Sequence, residues 1–218
     1  MLPAFGRSAV SKPSIKTEKR GFDTSFDKFR TTQPPEEIEI MKVTVFGGSA
    51  PKPNTPAYNE AYTLGKLLAE RGHSVMTGGY IGTMEAVSRG ASEAGGHVIG
   101  VTCEEIESWR DVRPNQWVAE EWRYATLKER LNALIERCDA AFALPGGPGT
   151  LTEIMLMWNQ LIIQALPPRP LILIGSGWQT VLDQAFYTEL GDYVPESQRA
   201  YLQFASDIHS AVKLLEKR

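Results

Sequence analysis

Short apolar runs rich in β-branched residues alternate with longer amphipathic stretches from Lys42 onward. The apolar runs predict strands at 42–47, 74–77, 97–102, 139–144 and 170–174, and a shorter one at 201–204. Helical spacing predicts helices at about 57–71, 82–95, 125–138, 150–166 and 178–190, and a last helix capped by Asp207. This alternation is typical of βαβ units, so we predict an α/β protein of one Rossmann-like domain with a doubly wound parallel sheet.

The first 40 residues differ from the rest, because they are rich in Lys, Arg, Ser, Thr, Pro and Glu and show no hydrophobic periodicity. A segment of this composition buries too little apolar surface to become ordered. We therefore predict a polar, disordered tail at 1–40 and a nucleotide-binding domain at 41–218. The basic first half of the tail leaves open a role in targeting or in partner binding.

Composition narrows the function. With 218 residues, 42% of them hydrophobic, the chain can bury a full core, and its net charge of -3 argues against nucleic-acid binding. No run approaches the roughly 18 apolar residues of a membrane span, and no secretory signal is visible. Cys103 and Cys138 form no CxxC pair, and His73, His97 and His209 lack ligand spacing. We expect a cytoplasmic protein with no membrane partner, no metal and no cofactor.

Three predicted strands, the first, second and fourth, end in glycine-rich turns. In a sheet ordered 3-2-1-4-5 these strands are neighbours, so the turns would line the crevice where the winding reverses. Glycine lets backbone N–H groups approach an anion, and a helix that starts just beyond adds its positive dipole end. The residues predicted to hold a phosphate are Gly48, Ser49, Gly79, Gly82, Thr83, Gly146, Gly147, Gly149 and Thr150. The alternative is that these glycines only close tight turns.

The kind of nucleotide is narrowed by what the turns lack. The first turn reads Gly-Gly-Ser-Ala-Pro at 47–51 instead of GxGxxG, and no acidic residue follows the second strand. A NAD site normally has both features, so a standard dinucleotide site is not predicted. A Walker-type lysine is missing as well.

Two charged residues flank the predicted crevice. Glu153 follows the third turn and would lie on the first turn of the next helix, either facing the ligand or simply stabilised by the helix dipole. Arg130 flanks the apolar stripe formed by Leu127, Leu131 and Leu134. It could bend toward the crevice or remain an exposed helical charge, and its own helix does not decide between them.

Residues 145–153 read Pro-Gly-Gly-Pro-Gly-Thr-Leu-Thr-Glu, which fits every fixed position of PGGxGTxxE. This motif is the signature of the LONELY GUY (LOG) family, and the chain resembles that family over roughly 42–190. Characterised members are phosphoribohydrolases that release a cytokinin base from its riboside 5'-monophosphate, and they are usually dimers. The resemblance implies hydrolysis of the N-glycosidic bond of a purine nucleoside 5'-monophosphate, such as one with an N6-substituted adenine. It also implies Arg130 and Glu153 as the catalytic pair.

The chain departs from the family pattern at two places. The family's Met-x-x-Arg-Lys is Leu-Lys-Glu-Arg-Leu at 127–131, which keeps Arg130 but has Leu131 in place of lysine. The second turn has Glu85 where cytokinin-activating members have glycine, which adds a carboxylate near the predicted crevice. These departures leave the base open, together with an alternative function as a non-catalytic nucleotide or molybdenum-cofactor carrier. Lysine decarboxylation is not expected, because Lys52 lies between prolines in a surface loop.

Two further features bear on partners and on the pocket. The helix at 154–163 is apolar on nearly every face, which indicates a homodimer interface or burial within one subunit. Trp109, Trp117 and Trp122 surround a polar loop before Arg130, where they would stack on a base or anchor the loop.

Overall fold

The computed structural model of this protein describes residues 40–216, so the predicted tail lies almost wholly outside the described residues. The seven strands of the described part are β1 (Lys42–Phe46), β2 (Ser74–Thr77), β3 (Val98–Cys103), β4 (Glu120–Tyr124), β5 (Ala140–Ala143), β6 (Leu171–Ile174) and β7 (Leu202–Ala205).

Helices connect these strands, and three α-helices of the described part lie between β6 and β7. The α-helices of the described part are α1 (Pro56–Glu70), α2 (Thr83–Glu93), α3 (Glu104–Trp109), α4 (Leu127–Glu136), α5 (Pro148–Ile162), α6 (Ser176–Trp178), α7 (Tyr187–Leu190), α8 (Glu196–Arg199) and α9 (Ile208–Glu216). A π-helical segment, Gln179–Phe186, joins α6 to α7. Asp207 caps α9 as predicted, because its Oδ1 accepts the Ser210 N–H at 2.9 Å. No helix within residues 40–216 combines the length and the apolar character that crossing a bilayer requires.

The strands form one sheet in the order β4-β3-β2-β1-β5-β6-β7, and every pairing is parallel. β1 is central, with Val43 opposite Val75 of β2 on one side and opposite Ala140 of β5 on the other. The chain winds outward from β1 to β4, then crosses back to continue from β5 to β7. The doubly wound α/β fold is thus confirmed, and the winding reverses between β1 and β5.

One strand differs from the prediction. β4 occupies part of the stretch that the sequence suggested was a polar loop, and its Trp122 lies opposite Val101 of β3. Its sequence, Glu-Glu-Trp-Arg-Tyr, has no apolar run, because only Trp122 and Tyr124 pack against the core and neither is fully buried. Trp122 is therefore a strand residue and not a loop anchor.

Two apolar layers hold the helices on the sheet. α1, α2 and α9 pack on one face through residues such as Leu64, Val87 and Val212. On the other face, α4, α5 and the helical segment 176–190 pack through residues such as Leu134 and Met157. The fold thus has one helical layer on each side of the sheet. The helices that directly follow strands begin at the edge formed by the carboxyl ends of those strands.

Candidate active site

The three glycine turns meet at the carboxyl edge, where the winding reverses. The Gly48 N–H donates to the Pro145 carbonyl at 3.3 Å, which joins the turn after β1 to the turn after β5. The N–H and the hydroxyl of Thr83 both donate to the Gly48 carbonyl, at 2.9 and 3.0 Å, which joins the turn after β2 to the same place. The three turns therefore meet in the structure, as predicted.

Glycine is required where these turns touch. Gly82 has φ of 76°, and a Cβ there would lie 2.6 Å from the Ser49 Cα. At Gly146, a Cβ would lie 2.6 Å from the Thr150 Cβ and would also collide with the Thr150 hydroxyl. Gly79, with φ of 77°, instead lies against β3, where a Cβ would come within 2.9 Å of the Thr102 methyl group. Gly79 therefore shapes the turn from behind and does not face the loop after β5.

The turn after β5 is exposed and leads into an uncapped helix start, as expected for an anion site. Residues 145–149 are exposed, and Gly147 caps the 15-residue helix α5 without any side-chain hydrogen bond to its first N–H groups. Those N–H groups, with the helix dipole behind them, are free for an anionic ligand. Gly149 lies in the first turn of α5, and Thr150 is buried directly behind the loop. Ser49, half-buried, faces Gly82 across the neighbouring turn.

The close contact behind this loop makes Gly146→Ala a selective test of it. The added methyl group must displace Thr150 or the loop, so we expect the dissociation constant for AMP to rise at least about tenfold. Isothermal titration calorimetry measures this directly. Gly177→Ala is the control, because a Cβ at Gly177 meets nothing within 4 Å. Equal affinity in the two variants would contradict the anion site.

Arg130 lies beneath the crevice and is buried, 5% exposed, so it is not an exposed helical charge. The predicted apolar stripe of α4 was wrong in one respect, since Leu127 is 41% exposed and Arg130 lies on the buried side with Leu134. The Arg130 Nε donates to the Val101 carbonyl at 2.7 Å and Nη2 to the Gly78 carbonyl at 3.2 Å. Only Nη1 is left to face the crevice.

Glu153 lies on the first turns of α5, and its side chain is 11% exposed. Its Oε1 is 4.0 Å from the Arg130 Nη1, which makes the pair a loose one. Burial raises the pKa of the Glu153 carboxyl from its ordinary 4.5 to about 7, although the positive charge of Arg130 acts in the opposite direction. A carboxyl with this pKa can take up and release a proton near neutral pH.

The raised pKa predicts an unusual pH dependence of stability. The folded chain holds the Glu153 proton more tightly than the unfolded chain, so this group contributes less stability as pH rises from about 4.5 through 7. The loss amounts to about 3 kcal/mol at pH 8. Because Glu153→Gln removes an ionising group, its thermal midpoint should exceed that of the wild type by about 5–10 °C at pH 8, and by far less at pH 5.

Differential scanning calorimetry at the two pH values measures this effect. Glu60→Gln, at an exposed position of α1, is the matched control. The difference between its thermal midpoint and that of the wild type should be the same at both pH values. A Glu153→Gln midpoint that tracks the wild type at both pH values would contradict the burial of this charge.

Several other predicted residues have partners outside the Arg130–Glu153 pair. The Glu85 Oε1 accepts the Tyr58 hydroxyl at 2.9 Å, so this carboxylate joins α2 to α1. The Trp117 ring stacks on the Arg89 guanidinium, 5.6 Å from the ring centroid, while Trp109 is 78% exposed. The three tryptophans therefore lie in different surroundings and do not form one pocket wall.

Sequence reasoning missed the residues that hold Arg130. These are Tyr80, whose ring centroid is 5.7 Å from the guanidinium carbon, and Met84, whose Sδ is 4.0 Å from Nη2. Tyr80 follows the second glycine pair directly, which is the one local signal of its place. The backbone carbonyls that grip Arg130 leave no trace in a sequence.

The helix after the signature is only partly buried within the subunit. Ile154, Met157 and Trp158 face the core, whereas Leu151 and Ile163 are 38% and 65% exposed. Burial within the subunit thus accounts for one face of α5, and a homodimer interface on the exposed side stays a prediction. Within residues 40–216, no group of three His, Cys, Asp or Glu side chains is arranged to hold a metal ion.

Residues 40–166 match the SLOG cluster4 family, and this region spans β1 to α5 with all three turns, Arg130 and Glu153. The chain is 32% identical over 184 residues to the probable cytokinin riboside 5'-monophosphate phosphoribohydrolase LOGL9 of Oryza sativa subsp. japonica, covering 83% of this chain and 80% of that protein. It is 37% identical over 131 residues to the cytokinin riboside 5'-monophosphate phosphoribohydrolase LOG of the same species, covering 59% of this chain and 53% of that protein.

A solved structure shares the fold. It is the molybdenum cofactor binding protein from the phototrophic bacterium Rippkaea orientalis, with a TM-score of 0.63 and 25% sequence identity, covering 82% of this chain and 96% of that one. The same architecture thus occurs in proteins named as hydrolases and in a protein named for binding a cofactor.

Proposed function

Because this chain belongs to the SLOG cluster4 family, and so to the LOG-type proteins, we propose that it hydrolyses the N-glycosidic bond of a purine nucleoside 5'-monophosphate. The products are the free base and ribose 5-phosphate. The observation that carries this proposal is the buried Arg130–Glu153 pair, whose carboxyl has a pKa near 7, beside an open anion site.

The anion site suits the 5'-phosphate. The free N–H groups of Gly147, Gly149 and Thr150 start α5, and an exposed loop leaves room for a dianion. Arg130 is a poor candidate for a two-pronged phosphate clamp, because Nε and Nη2 are already bound to carbonyls. We therefore assign the phosphate to the loop and the Arg130 Nη1 to the ribose oxygens and Glu153.

Glu153 then acts at the sugar. As the C1'–N bond breaks, its electron pair goes to the base nitrogen and positive charge develops on the sugar ring. The ionised carboxylate stabilises that charge, orients a water molecule whose oxygen bonds to C1', and accepts the proton which that water gives up. The proton then passes to the departing base or to solvent, so the carboxylate is regenerated.

The test is incubation of the purified chain with AMP and with N6-isopentenyl-AMP, with free base and ribose 5-phosphate followed by chromatography. Release from either nucleotide supports the hydrolase, and the ratio of the two rates reports the preferred base. If both nucleotides bind measurably but neither releases its base, the hydrolase proposal is refuted.

A second candidate function is a non-catalytic carrier of molybdenum cofactor or nucleotide. The solved structure of the Rippkaea orientalis molybdenum cofactor binding protein supports it, since its backbone follows this chain over most of its length. A carrier needs the anion site but no buried carboxyl beside it, so Glu153 favours the hydrolase. Binding of purified molybdenum cofactor, unaffected by Glu153→Gln, would favour the carrier.

The assembly and the compartment are also proposals. The exposed apolar residues Leu151 on α5 and Ile163 just after it support a homodimer, and light scattering of the purified chain reports its mass in solution. The two cysteines, Cys103 and Cys138, are buried and unpaired, which supports a reducing, cytoplasmic setting.

A further inference from the structure

Tyr80 joins the turn after β2 to the end of β3. Its side chain is buried, 1% exposed, and its Oη accepts the Cys103 N–H at 2.9 Å and donates to the Cys103 carbonyl at 3.1 Å. Cys103 is the last residue of β3. One hydroxyl thus fastens the glycine turn of one strand to the end of its neighbour.

The same two segments provide the carbonyls that grip Arg130. Gly78 lies two residues before Tyr80, and Val101 lies two residues before Cys103. Both carbonyls accept from the guanidinium, and the Tyr80 ring packs against it. The Tyr80–Cys103 contact therefore adds to the β2–β3 pairing, which ends at Thr77 and Gly100, in setting the spacing between the carbonyls, and it positions the ring face on which Arg130 rests.

A buried carboxylate lies on the far side of Tyr80, where it competes with the Cys103 carbonyl for the single hydroxyl proton. The Glu107 Oε1 lies 3.3 Å from the Tyr80 Oη, and this side chain is only 4% exposed. It also binds Arg123 at 2.7 Å and Arg113 at 3.4 Å. The charged groups around the arrangement are thus Glu153 on the crevice side of Arg130, and Glu107 with its two arginines behind Tyr80.

We propose that Tyr80 is the positioning residue of Arg130, which it holds in the one orientation that presents Nη1 to Glu153 and the substrate. This inference rests on the proposed function only where the substrate is concerned. The link from Tyr80 through Arg130 to Glu153 is a property of the folded chain and can be measured without any substrate.

The test uses the full chain with Tyr80→Phe, which keeps the ring and removes the hydroxyl. Carbon-13 NMR of glutamate-labelled protein follows the titration of the Glu153 carboxyl, with the Glu153→Gln spectrum identifying its signal. Because Arg130 lowers the pKa of Glu153, a loosened Arg130 should raise that pKa above its wild-type value of about 7. Tyr62→Phe, which removes an exposed hydroxyl bonded to Glu93, is the control and should leave it unchanged.

Kinetics give a second readout. In Tyr80→Phe we expect kcat for base release to fall about tenfold with KM within about threefold, because the phosphate site is intact and only the catalytic geometry is disturbed. Tyr80→Leu removes the ring as well and should lower kcat further. If that variant fails to fold by circular dichroism, Tyr80→Phe alone decides.

A folded Tyr80→Phe whose Glu153 titrates as in the wild type would overturn the inference. If the wild type releases no base, the proposed hydrolase fails, while the NMR titration still decides the role of Tyr80. The two failures are therefore distinguishable.

Discussion

Glu153→Gln is expected to lower kcat for base release by about 10²–10³-fold while the dissociation constant for AMP stays within about threefold. Glutamine fills the same space, but it carries no charge to stabilise the sugar cation and cannot accept the proton of the attacking water. The proposed phosphate contacts come from the start of α5, which this substitution leaves intact. In the wild type, kcat/KM should rise with pH through about 7 as the carboxyl ionises, and this rise should be absent in the variant.

The measurement is steady-state release of base from the nucleotide that the wild type prefers, between about pH 5.5 and 8.5. Glu60→Gln controls for the loss of one negative charge and should keep the wild-type rate and pH profile. Loss of activity in both variants, or in neither, would show that Glu153 is not the catalytic carboxyl.

Arg130→Met has the second large effect, and it changes stability as well as rate. Methionine fills much of the volume but leaves the buried carbonyls of Val101 and Gly78 without their donor. Each unsatisfied group costs about 1–3 kcal/mol. We therefore expect the free energy of unfolding to fall by about 2–5 kcal/mol and the thermal midpoint to fall by about 10 °C. Turnover should fall about 10²-fold or more, because Glu153 loses the cation that orients and ionises it.

Thermal unfolding and steady-state rates of the purified variant measure both effects. Arg137→Met is the matched control, since Arg137 ends the same helix at an exposed position. That substitution should lower the free energy of unfolding by less than about 1 kcal/mol and leave turnover unchanged. Wild-type stability in Arg130→Met would mean that the two carbonyls do not depend on this side chain.

The crevice could be predicted from the sequence because its position depends on the order of the strands. Strands with apolar runs, such as 74–77 and 139–144, can be recognised in the sequence, and parallel strands bring their carboxyl ends to one edge of the sheet. The sequence alone therefore predicts that Gly48, Gly82 and Gly146 meet. The same reasoning could not show that Gly79 faces β3 instead of the ligand, because that depends on the twist of a single turn.

The Arg130–Glu153 pair was harder to predict, because burial is a property of the whole fold. A helical stripe read from Leu127, Leu131 and Leu134 leaves Arg130 at its flank, yet Leu127 lies at the open start of α4 while Arg130 reaches beneath β2 and β3. The family motif identified both Arg130 and Glu153. The helical patterns alone left the question open, and the one local signal of Tyr80 is its place directly after the second glycine pair.

β4 ends the sheet within the described residues, and its polar sequence has a consequence for behaviour in solution. A terminal strand presents unpaired N–H and C=O groups on which a foreign strand can pair and start aggregation. Here Glu120, Glu121 and Arg123 stand beside those groups, and a strand approaching this edge would have to strip water from their charges. The charged side chains that conceal β4 from a hydrophobicity pattern thus protect the open edge of the sheet.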